Sequence, residues 1–162
     1  MDYLWTPWRY QYVVASGDAV ECVFCAAGRS SDDRANLVVH RGKHHFVILN
    51  RFPYTSGHSM VVPYAHIGNL EELDGEAANE LMALSRATAR HLREIYRPEG
   101  LNLGMNVGKS AGAGIAGHLH MHVLPRWTGD TNFMTVTAET RVLPEALETT
   151  WERLREAFRC DL

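Results

Sequence analysis

Apolar residues recur at helical spacing in two parts of the chain. Between Glu71 and about Tyr96 they alternate with charged residues, which predicts an amphipathic helix that Arg97-Pro98-Glu99-Gly100 ends. A second stripe predicts a C-terminal helix over 143–159, with Pro144 in its first turn. The apolar positions are Leu73, Leu81, Leu84, Leu92 and Ile95 in the first helix, and Leu147, Trp151, Leu154 and Phe158 in the second.

Short apolar runs bounded by turn residues predict strands at Asn36–His40, His44–Asn50 and Gly57–Pro63, and another within 101–108. Residues 16–34 are rich in small and polar residues and predict a loop. The order of strands, helix, strands and helix is typical of an α+β fold with an antiparallel sheet of about five strands. We expect a single domain over 1–162, with an aromatic-rich lead at 1–20 that docks on the core or on a partner subunit.

The run "GHLHMHVLPRW" has histidine at every second position, His118, His120 and His122. Alternate side chains of a strand share one face, so this run predicts a fifth strand with its imidazoles roughly 7 Å apart in a row. The apolar residues between them face the other way, and Pro125 predicts the end of the strand or an edge position. Three histidines in this register, beside several glycines, indicate a functional site.

Composition and charge exclude several classes of protein. The chain has 162 residues, 46% of them hydrophobic, and a net charge of −3 with acidic and basic residues interspersed. That balance argues against a broad surface for nucleic acid or for a membrane. The first residues lack the basic start and apolar core of a signal peptide, and no apolar run reaches about 20 residues. We expect a cytoplasmic protein.

The chain has three cysteines, of which Cys22 and Cys25 form a C-x-x-C pair and Cys160 is isolated. An odd number of cysteines without a signal peptide does not indicate a disulfide framework. A redox dithiol would follow a strand of a βαβ unit, which the pattern does not predict. The pair could also be half of a zinc site, completed by two histidines, or a structural pair without further function.

The triad His118-Leu119-His120-Met121-His122-Val123-Leu124 resembles the histidine triad (HIT) family of nucleotidyl hydrolases and transferases. Gly57-His58, Pro63-x-x-His66 and Asn106-x-Gly108 follow the order of the family's motifs. The flanks "LWTPWRYQY" and "PRWTGDTNFM" are similar to the bacterial branch that contains diadenosine tetraphosphate phosphorylases. The resemblance covers most of the chain and implies a HIT-like domain that pairs edge to edge in a homodimer.

The resemblance implies that His120 is the nucleophile and that His122 and His58 contact the phosphate. The chemistry is reasonable, because a neutral imidazole can attack phosphorus to form a phosphoramidate that water or phosphate then cleaves. The Gly-rich loop "GKSAGAGIAGH" could bring backbone N–H groups close to anionic oxygens, although its spacing alone also fits a plain turn. The candidate substrate-binding residues are Asn50, Asn106, Lys109, Ser110, Gly112, Gly114 and Trp127.

Zinc-bearing relatives of the family bind the metal with a C-x-x-C pair and two histidines. By position these are Cys22, Cys25, His66 and His118, and four protein ligands imply a closed, structural zinc. The resemblance therefore gives the three triad histidines different roles, since the first would hold the metal. The remaining histidines, His40, His44, His45 and His91, are competing candidate ligands or simply surface residues.

One position departs from the family pattern. Many hydrolytic members carry glutamine four residues before the triad, where this chain has Gly114. That difference favours inorganic phosphate over water as acceptor in a dinucleoside polyphosphate phosphorylase. The alternatives are a hydrolase of dinucleoside polyphosphates or nucleoside phosphoramidates, and a nucleotide-binding regulatory module without turnover. A zinc-stabilised nucleic-acid binder is disfavoured by the acidic balance of the chain.

Overall fold

The computed structural model describes residues 21–130 and 145–161, and these residues form five strands and three α-helices. Two short 3-10 turns, Leu70–Glu72 and Lys109–Ala111, connect some of them. In chain order the elements are α1 (Val23–Arg29), β1 (Val38–Arg41), β2 (His45–Leu49), β3 (Ser59–Pro63), α2 (Gly75–Tyr96), β4 (Gly100–Gly104), β5 (Met121–Arg126) and α3 (Leu147–Arg159).

The strands form one antiparallel sheet in the order β1-β2-β3-β5-β4. Helix α2 packs against β2, β3 and β5, and α3 packs against β1 and α2. Every residue of β2 and β3 is buried, as expected for central strands. The α+β fold with a five-stranded antiparallel sheet, a long helix and a C-terminal helix is therefore confirmed.

The long helix is confirmed, with a later start than predicted. Residues 70–72 form a 3-10 turn, and α2 begins at Gly75 because the Asp74 side chain caps it by accepting a hydrogen bond from Ala77 N at 2.8 Å. The helix ends at Tyr96, where Arg97 adopts the left-handed conformation with φ 48° and ψ 50°. Leu81 and Leu92 of the predicted stripe are buried in the core.

The prediction that residues 16–34 form a loop was wrong, because α1 spans Val23–Arg29. Phe24 and Ala27 are three residues apart, so they share one face of α1, and that face is buried in the core. A helix of two turns shows little periodicity, and packing stabilises it rather than intrinsic propensity. Arg41 of β1 also binds its C-terminal end, since Nη1 donates to the Gly28 carbonyl at 2.8 Å.

The triad strand begins later than predicted. Strand β5 starts at Met121, so His118 and His120 precede it and only His122 lies within it. The ladder with β3 ends at the pair Val61 and Met121. Two residues beyond Val61, β3 reaches Pro63, which has no N–H to donate, and the Leu119 N–H donates instead to the Ile67 carbonyl at 2.7 Å, so the ladder does not continue there.

Pro125 neither ends β5 nor lies in an edge strand, contrary to the prediction. β5 lies between β3 and β4 and continues to Arg126. Its ladder with β3 has already ended at Ser59 and Val123, so Pro125 pairs only with Leu101 of β4. A proline is tolerated there because one side of the strand has no ladder to interrupt.

Other boundaries shift by a few residues. Strands β1, β2 and β3 begin one or two residues after their predicted starts, and β4 ends at Gly104 rather than at 108. Residues 145 and 146 are not helical, so α3 begins at Leu147 instead of 143. Pro144 and the lead at 1–20 lie outside the described residues. Among the helices of 21–130 and 145–161, none combines the length and apolarity that crossing a membrane requires.

Candidate active site and metal cluster

His58, His120 and His122 lie together where β3 and β5 pair. The ring centroids of His120 and His122 are 4.9 Å apart, and those of His58 and His122 are 5.1 Å apart. Gly57 precedes His58 with φ +82°, and a Cβ at this glycine would lie 2.8 Å from Leu92 Cδ2, so only glycine fits here. The three candidate catalytic histidines are therefore one cluster.

The hydrogen bonds of His120 leave one specific ring atom available for chemistry. Its Nδ1 donates to the His118 carbonyl at 2.7 Å, so Nε2 carries the lone pair. The side chain is only 6% exposed, and burial lowers the pKa of His120 below its usual range. A neutral imidazole with an unprotonated Nε2 is the form that can act as a nucleophile.

A relay of hydrogen bonds fixes the protonation of the other two rings. The Tyr54 backbone N–H donates to His58 Nδ1 at 3.1 Å, so His58 carries its proton on Nε2. That Nε2 donates to His122 Nδ1 at 2.9 Å, so the proton of His122 lies on Nε2. Burial, with a smaller effect of His120, lowers the pKa of His122 to about 4, and the ring is a neutral donor at pH 7.

Two residues of this cluster were missed by sequence reasoning. Tyr54 acts through its backbone N–H, which no side-chain pattern reveals. Phe24 contacts both His118 and His120, and its signal was an aromatic residue between the two cysteines. Asn50, a predicted substrate-binding residue, is part of the same region, because its Nδ2 lies 3.4 Å from His58 Nδ1 and its Oδ1 accepts from Phe52 N at 2.9 Å.

The four predicted metal ligands, Cys22, Cys25, His66 and His118, also come together. One ligand atom from each lies within 4.8 Å of the others. Cys22 Sγ is 3.3 Å from His118 Nδ1, and Cys25 Sγ is 3.2 Å from His66 Nδ1. A tetrahedral zinc with bonds of about 2.3 Å to sulfur and about 2.0 Å to nitrogen separates such ligands by about 3.5 Å. The donor atoms therefore fit zinc.

The second nitrogen of His118 supports the same interpretation. His118 Nε2 donates to the Pro63 carbonyl at 2.9 Å, which leaves Nδ1 unprotonated and directed at the thiols. A metal-binding histidine commonly has its other ring nitrogen held in this way. Three of the four alternative histidines bind acidic side chains elsewhere, and the fourth, His40, stacks on Phe158 at 4.7 Å. His44, His45 and His91 contact Glu76, Glu80 and Asp161 respectively.

The Gly-rich loop forms a compact turn. Gly108 and Gly112 have φ +81° and +90°, which favour glycine, and they flank the 3-10 turn that carries the exposed Lys109 and Ser110. The N–H groups of Ala111, Gly112 and Ala113 donate to carbonyls of this turn. Anion contacts from this loop must therefore use other groups, such as the side chains of Lys109 and Ser110.

The remaining substrate-binding candidates flank this loop and β5. Asn106 and Gly114 are partly exposed, one on each side of the turn. Trp127 follows β5 directly, and its backbone N–H donates to Asp130 Oδ2 at 3.1 Å. Arg126 binds the same carboxylate with two nitrogens, at 2.6 and 2.8 Å, which braces the segment that carries Trp127.

The family model described as the HIT domain matches residues 32–129, which include all three triad histidines. The chain belongs to the HIT family. The match begins after α1, so Cys22, Phe24 and Cys25 lie outside the matched segment.

Similar proteins extend the likeness to most of the chain. A Mycobacterium tuberculosis protein named AP-4-A phosphorylase is 41% identical over 155 residues, which are 91% of this chain and 79% of that protein. The crystal structure of a Zn-bound histidine triad family protein from Mycobacterium smegmatis has a TM-score of 0.69 and 31% identity, and it covers 87% of this chain and 96% of its own. The crystal structure of a hypothetical histidine triad nucleotide-binding protein from Sulfolobus tokodaii has a TM-score of 0.68 and 27% identity, and the match covers 86% of this chain and 93% of that one.

Proposed function

We propose that this HIT protein transfers a nucleotidyl group from a dinucleoside polyphosphate to inorganic phosphate, as a diadenosine tetraphosphate phosphorylase does. The observation that carries the proposal is the state of His120, whose Nδ1–H is bound by the His118 carbonyl at 2.7 Å. That bond leaves the Nε2 lone pair to attack phosphorus. The likeness to the M. tuberculosis AP-4-A phosphorylase supports the substrate class.

In the first step, His120 Nε2 attacks the α-phosphorus of diadenosine tetraphosphate. A P–N bond forms and the P–O bond to ATP breaks, so ATP leaves with the electron pair. The His118 carbonyl holds the Nδ1 proton and stabilises the positive charge that develops on the ring. In the second step, a phosphate oxygen attacks the same phosphorus, the P–N electron pair returns to Nε2, and ADP leaves.

His122 and His58 have different roles in this proposal. His122 presents Nε2–H to the phosphoryl or leaving-group oxygens, since its Nδ1 is already occupied by His58. Both nitrogens of His58 are engaged, by Tyr54 N–H and by His122, and the side chain is 1% exposed. We therefore assign His58 to orienting His122, in place of the direct phosphate contact expected from the resemblance.

The substrate contacts of the proposal are those of the predicted residues. Lys109 and Ser110 lie exposed on the turn, where they can reach anionic oxygens. Gly112 and Gly114 have no side chains, so the backbone at these positions can approach the substrate phosphates closely. Asn50, Asn106 and Trp127 are assigned to the nucleoside and its ribose. Gly114, in the place of the hydrolase glutamine, supports phosphate as the acceptor. A tenfold preference for phosphate needs only about 1.4 kcal/mol between the competing transition states.

We further propose one structural zinc per chain, held by Cys22, Cys25, His66 and His118. The donor distances of 3.2–3.5 Å between sulfur and nitrogen support it. Four protein ligands leave no open position, so the ion would supply rigidity rather than chemistry.

The proposed homodimer would pair through β4. Side chains of α3 bind carbonyls of β1 at the other edge, where Trp151 Nε1 donates to Val38 and Arg155 Nη1 to Val39. In the described part of the chain, β4 is the other edge, and its last three residues are exposed. An uncovered edge strand is a natural place for a second copy.

The test is the product analysis of diadenosine tetraphosphate turnover with and without excess inorganic phosphate. Phosphorolysis gives ATP and ADP, which we expect to predominate under saturating phosphate. Predominant ATP and AMP would identify a hydrolase instead. No turnover, with tight nucleotide binding, would identify a regulatory module.

A further inference from the structure

Phe24 lies between the two cysteines of the C-x-x-C pair and joins the metal cluster to the triad. The ring is buried in the core, with 4% of its surface exposed. It contacts the His118 ring edge-on, with centroids 5.3 Å apart and an interplanar angle of 66°. It also packs on His120, with centroids 5.1 Å apart and an angle of 46°. One side chain therefore touches a metal-ligand candidate and the proposed nucleophile.

The contacts of His120 define what Phe24 can do. The hydrogen bond from Nδ1 to the His118 carbonyl holds one side of the ring, while the tilt of the ring also depends on what packs against its faces. His122 meets the ring at 74°, with its centroid 4.9 Å away, and Phe24 packs against it at 46°. The direction of Nε2 therefore depends on the position of Phe24.

Helix α1 in turn fixes the position of Phe24. Cys22 immediately precedes the helix and Cys25 lies in its first turn, and both thiols lie within 3.5 Å of His118 Nδ1. At the other end of α1, Arg41 donates to the carbonyls of Ala27, Gly28 and Ser30. The helix is thus held at both ends, and Phe24 has little freedom to move.

We propose that Phe24 is a positioning residue that orients His120 Nε2 toward the substrate. The thiols of Cys22 and Cys25, through their contacts with His118, hold Phe24 in the position that this requires. The assignment rests on the proposed function, because it takes His120 as the nucleophile. In this proposal the metal-ligand cluster affects His120 only through the packing of Phe24, and the ion takes no part in the reaction.

The experiment compares Phe24→Leu with a matched control, Phe158→Leu. Phe158 is 3% exposed and also lies between two histidine rings, His40 and His91, at 4.7 and 4.6 Å. It packs on β1 and α2, away from the triad. Both variants remove a buried ring, so a general effect of lost packing appears equally in both.

Turnover kinetics, zinc content and the imidazole ¹⁵N signals are measured on each variant. For Phe24→Leu we expect kcat for diadenosine tetraphosphate to fall by about 10- to 100-fold, because small misplacements of reacting groups have effects of this size. KM should change by less than about threefold, since ground-state binding is intact. Zinc content, by elemental analysis, should equal that of the wild type. The ¹⁵N signals of the His120 imidazole should change from a single tautomer to a broadened or mixed state.

The control should lose stability while its kcat stays within about twofold of the wild type and its His120 signals stay unchanged. Equal losses of kcat in the two variants, or loss of zinc from Phe24→Leu, would overturn the proposal. If Phe24→Leu does not fold, Phe24→Met is measured in the same way, because methionine fills the volume without a ring face. Should His120→Ala keep wild-type turnover, the proposed function fails, and the imidazole signals still decide whether Phe24 orders His120.

Discussion

His58, His120 and His122 have the same side chain but different chemistry, because each Nδ1 has a different partner. His120 Nδ1 donates to a carbonyl, His58 Nδ1 accepts from a backbone N–H, and His122 Nδ1 accepts from His58. As a result, His120 has an unprotonated Nε2, while His122 has a protonated one. In the proposed mechanism, a nucleophile and a hydrogen-bond donor therefore lie side by side.

We predict that His120→Ala abolishes nucleotidyl transfer, with a loss of roughly 10⁴-fold or more in kcat, because the substitution removes the proposed nucleophile. Mass spectrometry of acid-quenched enzyme with diadenosine tetraphosphate should detect the adduct in the wild type and not in the variant. His122→Ala serves as the comparison and should retain a slow adduct. A dead His122→Ala beside a near wild-type His120→Ala would mean that the roles are exchanged.

Helix α1 and the edge strand β4 are the two elements on which the zinc and dimer proposals depend. Helix α1 brings Cys22 and Cys25 to His66 and His118, which are 41 to 96 positions further along the chain. Strand β4 presents an exposed edge, with Leu103 47% exposed. One element supports the proposed metal site and the other the proposed dimer interface.

For α1 we expect elemental analysis of protein purified without added metal to find one zinc per chain. Cys22→Ser should lose the zinc and lower the melting temperature, because a structural zinc contributes directly to folding. Cys160→Ser is the control, since Cys160 is exposed and outside the cluster, and it should keep the metal. A well-folded wild type without metal would exclude the zinc proposal.

For β4 we expect a homodimer in light scattering at micromolar concentration and a monomer for Leu103→Lys, because a lysine on the edge opposes strand pairing. Met82→Lys is the matched control. Met82 is an exposed apolar residue on α2, 53% exposed and not on the sheet edge, so this variant should remain a dimer. A monomeric wild type, or a dimeric Leu103→Lys, would contradict the interface.

The whole molecule holds several neutral histidines in or beside its core, and this links stability to pH. Burial lowers the pKa of His45, and burial together with His120 lowers the pKa of His122 to about 4. The unfolded chain binds protons at these positions near pH 6.5, whereas the folded protein does so only at lower pH. The stabilisation is therefore complete above about pH 6.5 and is lost as the pH falls toward 4.

We predict that the free energy of unfolding, from urea denaturation between pH 7.5 and 4.5, decreases with acid. His122→Gln should show a shallower dependence, with a difference of about 1–2 kcal/mol across this range after allowance for solvent screening of a partly exposed ring. His44→Gln is the control, because His44 is outside the triad and its acidic partner Glu76 is 72% exposed. Identical pH profiles for His122→Gln and the wild type would contradict the role of His122.

The sequence by itself determined the elements whose signal is local. The stripe from Leu73 to Ile95 predicts α2, the alternation before Pro125 predicts a strand, and the triad with its neighbours identifies the family. These features depend on which face of one element is apolar, and periodicity records that directly. The resemblance to the family also predicted which four side chains, Cys22, Cys25, His66 and His118, would come together as candidate metal ligands.

Only the tertiary structure decided what depends on distant atoms. It made a helix of residues 23–29, because the buried face formed by Phe24 and Ala27 needs a core to pack on. It ended the ladder of β3 and β5 at the pair Val61 and Met121, because Pro63, two residues further along β3, has no N–H to donate. It assigned the histidine protons, because their partners are backbone groups of residues 54, 63 and 118. Contacts between residues that are far apart in the sequence produce no periodic pattern of apolar and polar positions, so sequence analysis does not reveal them.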